Sequence, residues 1–309
     1  MNHFDLLGED LDLPPNAFVR GYRKTITFNG RPLLGFSQGP HRNYLYPVYS
    51  PQGYLVTTES PADHPHHNSV WVATDHVHAL MPGHGGSRED ASYCFYVNEV
   101  FQGRAPGRIV EESFSYAQEG SAPVCLVEQS LIWRGPVEWG SQEGRVILRE
   151  ARTTRIEIVE DFCLLDVSST LYPEAWELVL GPTRHAYFGV RVAESMRVLA
   201  GGRVFDADGR EGGKAISWKT AAWIDYSGPV GGGHTAGISV FPGGKAAGSA
   251  WFVTDWGTIA ANPLMKEAIR IAPGEKATFT MGLAVHDGPW DGRQVSEAFT
   301  SFRSRGSGE

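Results

Sequence analysis

The sequence predicts an all-β protein, a large antiparallel β-sandwich with a short C-terminal helix. Three observations carry that expectation. The chain of 309 residues is interrupted throughout by 37 glycines and 19 prolines, as many short strands require. Several segments between the interruptions alternate polar and apolar residues with a period of two. Only one segment carries an apolar stripe of helical period.

Taken along the chain, Leu126–Trp133 reads as a strand ending at a Gly135-Pro136 turn. Arg155–Val159 alternates as a half-buried strand does, and Phe162–Val167 reads as a more deeply buried one. Ala268–Ile271 and Thr278–Leu283 are strand candidates, with alternation already visible in Ala277–Met281, and Pro273-Gly274-Glu275 reads as the hairpin connection between them. Pro51-Gln52-Gly53, Asp208-Gly209 and Pro242-Gly243-Gly244 are turn signals, and Gly231-Gly232-Gly233 reads as a mobile loop. Arg293–Arg303 places Val295, Phe299 and Phe302 on one side of a helix. There is no internal repeat and no linker, so residues 1–309 are expected to form a single β-sandwich domain.

The formal net charge of -8 argues against nucleic acid or an anionic membrane as partner. No apolar run reaches the roughly 18–20 residues of a membrane helix. Met1-Asn2-His3-Phe4-Asp5 lacks the basic and apolar parts of a signal peptide. Cys94, Cys125 and Cys163 sit among apolar neighbours and read as buried, reduced thiols. A cytoplasmic protein is the resulting expectation, a secreted form with its leader already removed being the alternative, with a homodimer as the default assembly. Of Trp71, Trp133, Trp218, Trp223 and Trp251, most are expected in the core; an exposed one would suit an interface or a ligand platform.

His64, His66, His67, His76, His78 and His84 are six of the chain's 11 histidines. Imidazole is the side chain best suited to proton transfer near neutral pH and a common metal ligand. Pro65 biases His64 toward extended backbone, and in an extended chain His64 and His66 point one way and His67 the other. That grouping leaves two uses open. The three imidazoles could ligate a divalent metal (zinc, manganese or iron), or His64 and His67 could act as acid and base without one. If Trp71–Ala79 is a strand, Thr74, His76 and His78 share one face, which makes His76 a candidate substrate contact. Asp63 or Asp75 could orient an imidazole. Upstream, Arg42, Tyr44 and Tyr46 share one face of an extended segment and suit a hydroxyl-rich or anionic ligand. Asp225 beside Tyr226 is a further candidate for ligand hydroxyls, against the reading of a turn aspartate capping Ser227-Gly228. No dinucleotide fingerprint, phosphate loop or G-x-S-x-G elbow is present, so no nucleotide cofactor is expected.

Arg42-Asn43-Tyr44-Leu45-Tyr46-Pro47, Asp63-His64-Pro65-His66-His67, Trp223-Ile224-Asp225-Tyr226-Ser227-Gly228, Ala261-Asn262-Pro263 and His286-Asp287-Gly288 occur in that order. In these segments the chain resembles a bacterial family of unknown function labelled methane oxygenase PmoA-like. The label does not fit a chain without a membrane span. The resemblance implies a sandwich similar to galactose-mutarotase-like supersandwiches, a carbohydrate or oxidised sugar as ligand, and a place for Asn262 among the binding residues. The chain is divergent. Pro182-Thr183-Arg184-His185-Ala186 stands where the family commonly has Asp-Thr-Lys-Glu-Gly, so an acidic residue gives way to the basic pair Arg184-His185. Trp251-Phe252-Val253-Thr254-Asp255-Trp256-Gly257 stands where a histidine and an arginine are usual. His185 and Arg184 therefore join His64 and His67 as candidate catalytic residues. The expected activity is lyase or hydrolase chemistry on a sugar or keto glycoside. Mutarotase or epimerase action, a non-catalytic carbohydrate-binding module, and an oxygen-using iron or copper protein are the alternatives.

Overall fold

The alternating segments pair into antiparallel sheets because each has one apolar face to cover. The structure is a computed structural model describing residues 2–13, 17, 19–138 and 140–305. Among these residues it holds 21 strands, a four-residue α-helix at Gly213–Ile216 and a longer one at Gly292–Arg305.

The first sheet runs Phe4–Leu11, Gly21–Phe28, Arg31–Gln38, Asn43–Val48, Val70–Thr74, Ala186–Arg191, Thr258–Asn262, Ala250–Val253. The second runs Arg203–Asp206, Ile224–Gly231, His234–Gly244, Ala277–Asp287, Phe162–Pro173, Val146–Val159, Val124–Arg134, Arg108–Gln118. A smaller sheet runs Ile269–Ile271, Glu177–Leu180, Val77–Pro82, Arg88–Cys94, Ala105–Pro106. One core joins all three: it takes Phe36, Val72 and Phe188 from the first sheet, Val127, Ile156 and Leu283 from the second, and Ala79 and Leu178 from the third. The expected all-β sandwich is thus observed.

The C-terminal helix buries Val295, Ala298 and Phe302 against Leu164, Phe241 and Ala284 on the second sheet. Gly282 permits that approach, since a Cβ there would lie 2.6 Å from the Phe302 ring. The three cysteines are free and buried. Of the five tryptophans singled out above, only Trp218 is exposed.

Four local expectations are corrected. Pro242-Gly243-Gly244 is not a turn but the end of a strand, paired with Met281-Thr280-Phe279. Pro273-Gly274-Glu275 does turn, yet it carries the chain from the third sheet to the second instead of closing a hairpin. Gly231-Gly232-Gly233 is a tight hairpin turn in which Gly231 pairs with His234, with φ of 59° and 78° at Gly232 and Gly233; the positive φ at both central residues is why glycine occupies them. Trp71–Ala79 is not one strand. Val70–Thr74 belongs to the first sheet and Val77–Pro82 to the third, and the chain crosses between them at Asp75-His76. Thr74 therefore does not share a strand face with His76 and His78, although those two rings remain neighbours at 5.8 Å.

Candidate functional site

On the first sheet, Val70 and Val72 face the main core, while Trp71 and Ala73 face the other side. There they join Tyr44, Cys94, Tyr96 and Val97 in a separate apolar cluster. Gly189 pairs with Trp71 across the sheet, and a Cβ on it would lie 2.1 Å from the indole. Glycine is therefore what allows Trp71 to lie flat on the neighbouring strand. This layer underlies a cavity of about 310 Å³ lined by His64, His66, His67, Tyr96, Val97, Phe101, Arg184, His185, Phe252 and Trp256.

The histidine segment is folded differently from the extended form expected of it. His67 N–H donates to the His64 carbonyl at 2.9 Å, so His64-Pro65-His66-His67 is a β-turn, with Pro65 at the position whose fixed φ favours one. The turn brings the His64 and His67 rings together, 4.8 Å apart and 12° from parallel. Trp256 stacks on His64 at 4.5 Å and 1°, and Trp71 stacks on His67 at 4.9 Å and 14°. His66 stands edge-on to His67.

A metal ligand presents its lone pair in the ring plane, and three ligands must aim at one point. His64 and His67 are instead stacked face to face. Both ring nitrogens of His67 are engaged, Nε2 with the Tyr96 hydroxyl at 3.0 Å and Nδ1 with Thr258 Oγ1 at 3.3 Å. Among the described residues no group of three His, Cys, Asp or Glu is arranged to hold a metal ion. In this arrangement the rings of His64, His66 and His67 do not converge on one point.

Two carboxylates stand behind the imidazoles. Asp63 accepts from Arg191 Nη2 at 2.8 and 3.0 Å, and lies 3.1 Å from His64 Nδ1 without hydrogen-bond alignment. Burial opposes its charge, but His64 and Arg191 outweigh that and hold its pKa down at about 2. Asp75, at the crossing between sheets, is fully buried. It accepts from Thr183 Oγ1 at 2.5 Å and meets His76 Nδ1 and His185 Nδ1, each at 3.0 Å. Against the cost of burial, these contacts keep the carboxylate below its usual range.

With Nδ1–H committed to Asp75, His185 is the tautomer whose Nε2 bears the lone pair. Arg184 Nε donates to that nitrogen at 3.1 Å. His185 is thus an oriented base beside a cation. Burial first, then the charge of Arg42 and the crowding of imidazoles, pulls the pKa of His66 down to about 4; burial, then the neighbouring imidazoles, then Arg191 and Arg42 lower that of His67 to about 2. Both are neutral at pH 7.

The remaining candidates lie around the cavity rather than on its wall. Arg42 is buried and donates to the carbonyls of His66 (2.8 Å) and Tyr96 (2.5 Å) and to Asn98 Oδ1 at 3.1 Å. It holds the histidine turn and the loop bearing Tyr96 in place. Tyr44 donates to Glu59 at 2.8 Å and faces a neighbouring cavity of about 400 Å³ on the far side of Pro65, also bordered by Asn68 and Asn98. Tyr46 lies under the Arg23 guanidinium, 4.9 Å from its ring centre. His76 pairs with Asp75 and Arg104. Asn262 donates to the Thr183 carbonyl at 2.7 Å and so fixes the segment preceding Arg184.

Asp225 is corrected outright. It is neither a turn residue nor near the cavity, but a fully buried strand residue meeting Ser239 Oγ at 2.7 Å and His286 Nε2 at 3.0 Å. Trp290 covers that histidine, its ring 3.9 Å away.

The sequence reading missed Tyr96, Val97 and Phe101, which come from a loop without a repeating pattern. Segments 182–186 and 251–257, where the chain departs from the expected motifs, converge on this cavity through Arg184, His185, Phe252 and Trp256. Within the Trp223–Gly228 motif, Tyr226 acts structurally: its hydroxyl lies 3.1 Å from the Asp255 carbonyl and anchors the turn bearing Trp256.

A family model described as a family of unknown function, DUF6807, matches residues 23–300. No curated protein matches the chain. Among solved structures, galactose 1-epimerase from Lactobacillus acidophilus NCFM is similar with a TM-score of 0.43 and 9% identity, over 92% of this chain and 100% of that one. The alpha-galactosidase from Lactobacillus brevis is similar with a TM-score of 0.42 and 12% identity, over 96% of this chain; the chain spans only 41% of that enzyme's length. Among the described residues no helix is long and apolar enough to cross a membrane.

Proposed function

The chain belongs to the DUF6807 family of unknown function, and we propose that it is a carbohydrate-active enzyme that moves a proton beside the carbonyl of a keto glycoside. The observation that carries this reading is the Asp75–His185 pair at the cavity, with Arg184 hydrogen-bonded to the other ring nitrogen of His185. A buried carboxylate that fixes an imidazole's tautomer is the arrangement a general base needs. The polar lining is rich in imidazole and guanidinium, and both nearby carboxylates stand behind it. Such a lining suits a ligand rich in acceptor oxygens, and the walls of Phe101, Phe252 and Trp256 suit the C–H faces of a sugar ring.

The step balances without an added oxidant. His185 Nε2 takes the proton from the carbon between the ketone and the anomeric centre. The electron pair passes into the ketone oxygen as an enolate, which the exposed Arg184 would hold after exchanging its bond to His185 for the substrate oxygen. The pair then returns and expels the glycosidic oxygen, which leaves as an alcohol after taking up a proton. Addition of water to the resulting enone would make the overall reaction a hydrolysis.

Aldose mutarotation is the second reading. It is favoured by His66 lining the same cavity as His185: His185 would take the proton of the anomeric hydroxyl and pass it to the ring oxygen, which His66 N–H would hold by a hydrogen bond, as the ring opens. An NMR time course with 3-keto glycosides and with single sugar anomers tests both. New resonances that depend on His185, absent in His185→Gln, support enzymatic action. Sugar binding without any product would leave a carbohydrate-binding module and overturn the proposal.

A further inference from the structure

Resting on the sugar-acting reading above, we propose that Trp218 is a stacking platform for a second sugar ring, so that the substrate is a disaccharide or longer glycoside. Trp218 is 53% exposed. Its ring packs on Phe252 with centroids 5.5 Å apart, and Phe252 in turn meets Trp256 at 6.4 Å. Phe252 and Trp256 line the cavity. The three rings thus form a continuous aromatic strip from the cavity wall to solvent.

The backbone beneath Trp218 is held firmly. Trp218 N–H donates to the Trp251 carbonyl at 2.7 Å, and Trp251 N–H returns a bond to the Lys219 carbonyl at 2.9 Å. Ser217 Oγ donates to the Val253 carbonyl at 2.6 Å and accepts from Val253 N–H at 2.9 Å. Trp218 itself has φ of 68°. A bulky residue in the left-handed region is disfavoured and persists only where its surroundings impose it. A large apolar ring, held in a costly conformation and left facing water, points to a partner that covers it.

The chemistry of that partner follows from the strip. An indole face is electron-rich and attracts weakly positive C–H groups; a pyranose presents such groups on its faces and hydroxyls at its rim. Continuity with the cavity favours a ring covalently joined to the one in the cavity over a separate macromolecule. The polar cavity beyond Pro65, with Asn68 and Asn98, is the competing direction for the chain of sugars.

The test uses full-length protein carrying His185→Gln to prevent turnover. Calorimetric dissociation constants are measured for methyl glucosides and galactosides, for the matching α- and β-linked disaccharides, and for their 3-keto forms. At least one disaccharide is expected to bind about tenfold more tightly than its methyl glycoside. Trp218→Ala is expected to abolish that difference and Trp218→Phe to keep most of it, with methyl glycoside binding unchanged. Persistence of the difference in Trp218→Ala, or its loss in Asn98→Ala instead, overturns the platform. So does binding of methyl glycosides with no gain for any disaccharide when Trp218 is intact. A shift in sedimentation of Trp218→Ala with unchanged affinities makes the patch a contact between copies and overturns it too. Binding of no glycoside at all sinks both this inference and the sugar reading on which it rests.

Discussion

His185 Nδ1 lies 3.0 Å from Asp75 Oδ2, although the two residues are 110 positions apart in the chain. The contact exists because Val70–Thr74 pairs antiparallel with Ala186–Arg191, which sets Thr74 opposite Ala186 and so places the residue after one strand beside the residue before the other. Asp75→Asn keeps the shape of the group but lets an amide N–H face Nδ1, which favours the wrong imidazole tautomer. We expect turnover to fall roughly a hundred- to ten-thousand-fold while KM changes little. The 15N shifts of His185 would move with it; unchanged shifts and unchanged turnover would remove Asp75 from the mechanism.

Stability is expected to depend on pH through neutral histidines. Burial, then nearby arginines, lowers the pKa of His41 to about 4, and burial with Arg42 and His64 does the same for His66. An unfolded histidine binds its proton near ~6.5. The folded state thus binds fewer protons between these values, so the stabilisation is complete above pH ~6.5 and is lost as pH falls toward about 4. Asp63, lowered from 3.8 to about 2, adds its own loss only below pH 3.8. Thermal melts from pH 7.5 to 4 should show a falling midpoint, with a shallower slope in His41→Gln. A flat profile would mean that these imidazoles are open to protonation in the fold.

Gly189→Ala places a methyl group 2.1 Å from the Trp71 indole. No rotation of a flexible chain end relieves that contact, so either the indole or the strand must shift. We expect destabilisation of roughly 1–3 kcal/mol, visible as a lower urea midpoint. Because Trp71 stacks on His67, turnover should drop as well. A midpoint equal to wild type would show that the sheet yields easily there.

Removal of divalent metal is expected to leave turnover intact. His67 has no free ring nitrogen, and the proposed base, His185, is oriented by a carboxylate. Elemental analysis and activity before and after dialysis against a chelator check this together. Loss of activity restored by zinc, manganese or iron would return the histidines to the role of ligands.

Much of the fold was legible because it rests on local periodicity. The alternation of Arg155–Val159 and the stripe of Val295, Phe299 and Phe302 each express one buried face. The neighbourhood of the site was legible because imidazoles are scarce elsewhere. Its geometry was not. Pro65 restrains the residue before it, but it cannot reveal that His67 will reach back to His64. The crossing at Asp75 interrupts a run that reads as one continuous strand, because either half alone is apolar enough to be buried. Tyr96 and Phe101 reach the cavity from an irregular loop, and Phe252 and Trp256 reach it through pairing of strands remote in sequence. Asp225 misleads for the converse reason: a polar residue beside a tyrosine looks exposed until its strand is placed inside the sheet, where it meets the buried His286.

Trp256, His64, His67 and Trp71 lie within 14° of parallel from one ring to the next. Side chains wedged in this way have surrendered their rotational freedom during folding. An incoming ligand would meet walls already set, and little disorder would be lost from the protein when it docks. In a calorimeter, binding should then show a small conformational entropy penalty, and a variant that loosens the wedge, such as Trp256→Leu, should weaken affinity mainly through entropy.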